Sequence, residues 1–174
     1  MKTRIIVIVM FVMVFSSNSF AVCINTERHK ETLKNLEGVY LDILIHPKLF
    51  HEGLIPSQVR SDLESKLRLA GIKVASKENI LNNPMVSEKY GFVILTLDVN
   101  GFKRSPFSPY IIYTIEFDVW QAVSLHRDQE IETAAVTWAI EAIGYVMDIT
   151  ELRDNIKVAL DEFINAYLSV NPKK

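Results

Sequence analysis

Residues Ile111 to Leu125 read Ile-Ile-Tyr-Thr-Ile-Glu-Phe-Asp-Val-Trp-Gln-Ala-Val-Ser-Leu. Ile111, Tyr113, Ile115, Phe117, Val119, Val123 and Leu125 share one parity, and Thr114, Glu116, Asp118, Trp120 and Ser124 share the other. A period of two sustained over that length predicts one long strand, covered on one face and open on the other. The polar turn His126-Arg127-Asp128-Gln129-Glu130 predicts a hairpin into a third strand near residues 131–141. Upstream, Phe92 to Asn100 alternates with Val93, Leu95, Leu97 and Val99 on one face, and residues 39–45 with Val39, Leu41, Ile43 and Ile45. His46-Pro47 ends that earlier strand, and residues 47–55 are expected to form a loop.

Two helices flank this β-rich centre. Pro56 suits a first helical turn, where its missing N–H costs nothing, and Val59, Leu63, Leu67 and Ala70 follow as one apolar stripe until Gly71. Ile72-Lys73-Val74 reads as a short strand, and Glu78 to Pro84 as a helical turn and loop. Asp148 with Glu151 has the spacing of a capping box, after which Leu152, Ile156, Leu160, Phe163 and Tyr167 recur every three or four residues until Asn171-Pro172. Residues 24–37 read as a weak short helix ended by Gly38. The expected class is α+β, a mainly antiparallel sheet of about four or five strands with two helices packed on one face.

The amino terminus carries an address. Lys2 and Arg4 precede an unbroken apolar run from Ile5 to Phe15, followed by Ser16, Ser17, Asn18 and Ser19-Phe20-Ala21. That layout predicts a secretory signal peptide over residues 1–21, cleaved after Ala21. The apolar run would rise only about 16 Å as a helix, short of a bilayer core. The expected organisation is therefore signal peptide 1–21, polar segment 22–37 and a single α+β domain over 38–174, in the periplasm or outside the cell. Cys23 is the lone cysteine, and Val22 stands where a lipobox needs a small residue before it. A free thiol, a lipidated one and an intermolecular disulfide all stay open.

Composition narrows the function. The chain has 174 residues, 49% hydrophobic and 23% charged, with 21 acids against 19 bases. That fits one domain with its own core and excludes a disordered chain. A pI near 6.1 supplies no field for phosphates, so no nucleic acid is expected as a partner. No G-x-S-x-G elbow, phosphate loop, G-x-G-x-x-G or H-E-x-x-H is present. An enzyme is thus the less favoured class, and no cofactor is expected. Asp42 and His46 share one strand face by parity, as do Glu116 and Asp118; if their strands are neighbours they would form a carboxylate and imidazole cluster able to hold a divalent cation, and otherwise a solvated face whose charges blunt association between sheets. His51 and Glu52 add no closed metal motif.

The aromatic surplus points elsewhere. Trp120 lies on the open parity of its strand and Trp138 in the facing strand, so both are candidates for one uncovered surface, with Phe92 and Ile94 beside them, unless residues 22–37 fold over that surface or Trp138 belongs to the core. The loop Phe102 to Tyr110 adds Phe107, Tyr110 and two bases. Such a surface suits an envelope protein, and the basic loop suits an anionic envelope component. The leading reading is an exported, non-catalytic binding or accessory domain. The alternatives are a metal-dependent hydrolase using Asp42, His46, Glu116 and Asp118, and a small-ligand carrier. Partner, ligand and oligomeric state are not readable from these features, and no further membrane span is expected in the mature chain.

Four stretches, Leu36-Glu37-Gly38-Val39-Tyr40, Lys66 to Val74 (KLRLAGIKV), Ala134 to Trp138 (AAVTW) and Asp161 to Pro172 (DEFINAYLSVNP), together resemble a family of exported bacterial proteins without assigned activity. The resemblance implies an envelope location and structural joints, and it brings no catalytic residues. The order of elements is also loosely similar to small envelope-assembly accessory domains, such as the amino-terminal domain of the Tol-system propeller protein, which is an analogy of fold alone.

Overall fold

The structure, a computed structural model, describes residues 20–24, 26–76, 92–103 and 109–172. The elements in chain order are β1 (Phe20–Ile24), α1 (Glu27–Glu31), β2 (Gly38–Ile45), α2 (Pro47–His51), α3 (Pro56–Leu69), β3 (Lys73–Val74), β4 (Phe92–Lys103), β5 (Ile111–Leu125), β6 (Asp128–Val146) and α4 (Ile149–Val170). The six strands form one sheet in the order β1-β6-β5-β4-β2-β3. Three ladders, β1–β6, β6–β5 and β5–β4, are antiparallel, whereas β2 runs parallel to both β3 and β4. The architecture is α+β with a mostly antiparallel sheet.

Alternation does what the sequence expects of it. Leu95, Leu97 and Val99 of β4 and Ile115, Phe117 and Val119 of β5 are buried, and they join one core cluster with Val59, Leu63 and Leu67 of α3 and Leu152, Ile156, Leu160 and Phe163 of α4. Full burial of each such side chain contributes roughly 1.5–3 kcal/mol, so this layer dominates the stability. Two polar clamps hold the helices together at its edge. Lys66 Nζ donates to Asp161 Oδ2 at 2.8 Å, and Arg153 donates through Nε and Nη2 to both oxygens of Asp62. The hydrogen bonds from Arg153 hold the Asp62 carboxyl below its usual range, against an opposing effect of burial.

The element ends follow local chemistry. Pro56 opens α3, and Gly71, at φ +85°, takes the left-handed turn after it. Asp148 caps α4 by accepting the Glu151 N–H at 2.9 Å, while the Glu151 carboxylate reaches back to the Met147 N–H at 3.4 Å. Residues 47–51 correct the expected loop: Pro47 takes the first helical position of α2, and His46 Nδ1 accepts the Lys48 N–H at 3.3 Å. The expected helical turn over Glu78 to Pro84, and residues 1–19 of the expected signal peptide, lie outside the described residues. No described helix is long and apolar enough to cross a membrane.

Leu33, Asn35, Leu36 and Trp138 come together around the carboxy-terminal half of α4. Tyr167 donates its hydroxyl to the Leu36 carbonyl at 2.5 Å. Asn171 Nδ2 donates to the Leu33 carbonyl at 2.7 Å, and its Oδ1 accepts the N–H of Asn35, which sits at φ +61°. Trp138 packs edge-on against Phe163 with ring centroids 5.4 Å apart.

Candidate functional site

The even-numbered residues of β4 and β5 face away from the core, and the strand register sets them in rows. Leu44, Asp98, Glu116 and Glu141 form one row across β2, β4, β5 and β6; Asp42, Thr96, Asp118 and Ala139 form the next. Around them lie Trp120 and Val136 on one side, then Ile143, and finally Phe102, Ile112 and Tyr145. Leu44, Phe102 and Tyr145 are half exposed or more, and Trp120 and Ile112 are 39% exposed. Tyr110 is also exposed and stacks edge-on against Tyr145 at 5.4 Å. The result is an open sheet face with an acidic centre and an apolar rim.

The four carboxylates Asp98, Glu116, Asp118 and Glu141 form no ion pair with any described Lys, Arg or His. Burial, then the charges of Glu141, Asp118 and Asp98, push the Glu116 carboxyl above its usual value. Burial, then Asp98 and Glu141, do the same to Asp118. Each carboxyl loses hydration and gains like charge as its neighbours. Chemically the centre can attract cations or hold protons above the ordinary carboxylate range.

Two alternatives left open by the sequence are decided by strand register and strand order. Trp138 does not reach the open face, because Trp138 pairs with Val119 while Trp120 pairs with Val136. One extra residue in β6, Thr137, makes a bulge there and switches which parity faces the core. Trp138 is consequently fully buried against Phe163. The bulge is held by side chains: Gln121 Nε2 donates to Thr137 Oγ1 at 2.6 Å and to the Thr32 carbonyl at 3.0 Å.

The metal set also fails to assemble. β4 lies between β2 and β5, so Asp42 and Asp118 are separated by Thr96, two strand spacings or about 10 Å. Asp42 Oδ1 accepts the Ile43 N–H at 3.1 Å, and His46 is spent capping α2. Among the described residues no group of three or more His, Cys, Asp or Glu is arranged to hold a metal ion. Glu116 and Asp118 do come together, with Asp98 and Glu141, which the sequence reading left out. Asp98 was legible on the even parity of β4; Glu141 was hidden by the bulge.

Ile94 is half-buried on the open face opposite Trp120. Phe107 lies outside the described residues, as does the side chain of Phe92, whose backbone in β4 pairs with Gly38 of β2. Trp120, Ile94 and Tyr110 thus remain as surface candidates, joined by Leu44, Phe102, Ile112, Ile143 and Tyr145.

Fold and face define an α+β domain with one sheet surface left open. No family model and no curated protein matches the chain. Among solved structures it is similar to the PelC dodecamer from Paraburkholderia phytofirmans in two crystal forms. One, a point variant, is 11% identical with a TM-score of 0.48, covering 87% of this chain and 96% of that one. The other is 13% identical with a TM-score of 0.47, covering 90% and 99%.

Proposed function

We propose that this chain is an exported, non-catalytic accessory domain of the bacterial envelope that binds a protein partner through the open face of its sheet. The observation that carries the reading is the composition of that face: exposed Leu44, Phe102, Ile112, Trp120 and Tyr145 surround four carboxylates that pair with no cation among the described residues. Contiguous exposed apolar side chains on a sheet are what interaction surfaces use, and the uncompensated acids favour a partner that brings Lys or Arg. The same acids repel anionic lipid or polymer from this face. The basic, apolar and small-residue order of residues 1–21 supports export, and the resemblance of the four stretches supports an envelope location.

Photocrosslinking in the intact cell tests this. A photoreactive residue at Ile112 or Trp120 should give a discrete adduct with one envelope protein, and one at Val158, exposed on α4, should not. Adducts from Val158 alone would move the binding surface to the helix and overturn the reading.

A further inference from the structure

We propose that β6 pairs edge to edge with β6 of a second copy of this chain, about a two-fold axis at Ala134. The inference is independent of the open face. β6 pairs with β5 as far as Asp128, but β1 covers its other edge only from Ala139 to Ile143, and only to Glu141 in a chain that starts at Val22. β4 pairs with β5 no further than Trp120, which faces Val136, so among the described residues the ribbon of Gln121–Leu125 and Asp128–Ala135 pairs with no third strand. Two strands with no third are marginal in water, and an exposed edge is a template for another strand.

The run Glu132-Thr133-Ala134-Ala135-Val136 carries little of the usual protection of such an edge, one acid at Glu132 and the bulge at Thr137 just past its end. It contains no Lys, Arg or Pro, and no described backbone group pairs along its outer side. It is also self-compatible. In an antiparallel pair centred on Ala134, Thr133 faces Ala135 and the single acid Glu132 faces Val136 of the second copy, so no like charges meet. A four-stranded ribbon results. Its small area implies a weak, concentration-dependent dimer.

The self-opposed Cα atoms would lie about 4.5–5.5 Å apart, within the span of a disulfide. In a Cys23→Ser background, Ala134→Cys should therefore oxidise to a covalent dimer, while Ser124→Cys on β5 should not. Ala134→Lys sets lysine against lysine and should weaken dimerisation in sedimentation equilibrium by about tenfold or more. Circular dichroism and the urea midpoint of that variant should stay those of the parent, which separates lost pairing from lost folding. A parent protein that stays monomeric up to high micromolar concentration overturns the proposal. So does a dimer that survives Ala134→Lys, or equal crosslinking at Ser124→Cys.

Discussion

Gly144→Ala probes a close approach between β6 and the Tyr113 ring of β5. Gly144 pairs with Tyr113 across β5 and β6, and a Cβ there would lie 2.5 Å from the Tyr113 hydroxyl oxygen and 2.7 Å from Cζ. The ring has little room to retreat: Tyr113 is 3% exposed, and its hydroxyl accepts a hydrogen bond from Asn155 Nδ2 of α4 at 3.0 Å. Alanine in a strand is intrinsically better than glycine by about 0.5–1 kcal/mol. Overpacking a filled site costs about 1–3 kcal/mol, so the net loss should be about 1–2 kcal/mol. Tyr113→Phe by itself should cost about 1 kcal/mol through the hydrogen bond to Asn155. Combined with Gly144→Ala it also removes the nearest clashing atom, although Cζ remains. The double variant should then be more stable than the sum of the singles by about 1 kcal/mol. Urea unfolding at constant m reads all four corners of the cycle. Strictly additive losses, or a stabilised Gly144→Ala, would refute the close-approach argument.

Phe163→Ala should cost about 3–5 kcal/mol, because Phe163 is fully buried and its ring contacts Trp138 and Tyr167. Glu162→Ala, one residue away on the exposed side, should stay within about 0.5 kcal/mol; equal small losses in urea melts would mean that α4 is not docked. The raised Glu116 and Asp118 carboxyls bind protons more tightly folded than unfolded, so their contribution grows as pH falls from neutral toward their ordinary values of 4.5 and 3.8. Asp62 acts oppositely: its lowered pKa stabilises the fold above 3.8 and is lost on further acidification. Thermal melts should therefore show greatest stability at mildly acidic pH. Glu116→Gln, which removes the like charge facing Glu141, should raise stability at neutral pH by about 0.2–1 kcal/mol and flatten that rise. Intact mass of the exported protein should correspond to a chain starting at Val22 without acyl mass on Cys23, and a retained leader or a lipid adduct would contradict that cleavage.

The sequence determined those features that depend on neighbours along the chain. The period of two in β5, the stripe from Val59 to Leu67 and the Asp148–Glu151 cap each express a local backbone geometry, so each was legible without knowing what packs against it. So was the open parity carrying Glu116, Asp118 and Trp120. Strand order was not legible, because hydrogen bonding between strands carries no signature in either strand alone. β4 therefore entered between β2 and β5 and separated Asp42 from Asp118, while β2 turned parallel to β4. The bulge at Thr137 was equally hidden. A single inserted residue reverses every side chain beyond it, and only the pairing of Val119 with Trp138 and of Trp120 with Val136 shows that it is there. That reversal sent Trp138 into the core and brought Glu141 out beside Glu116, so the acidic centre of the open face is a product of tertiary register.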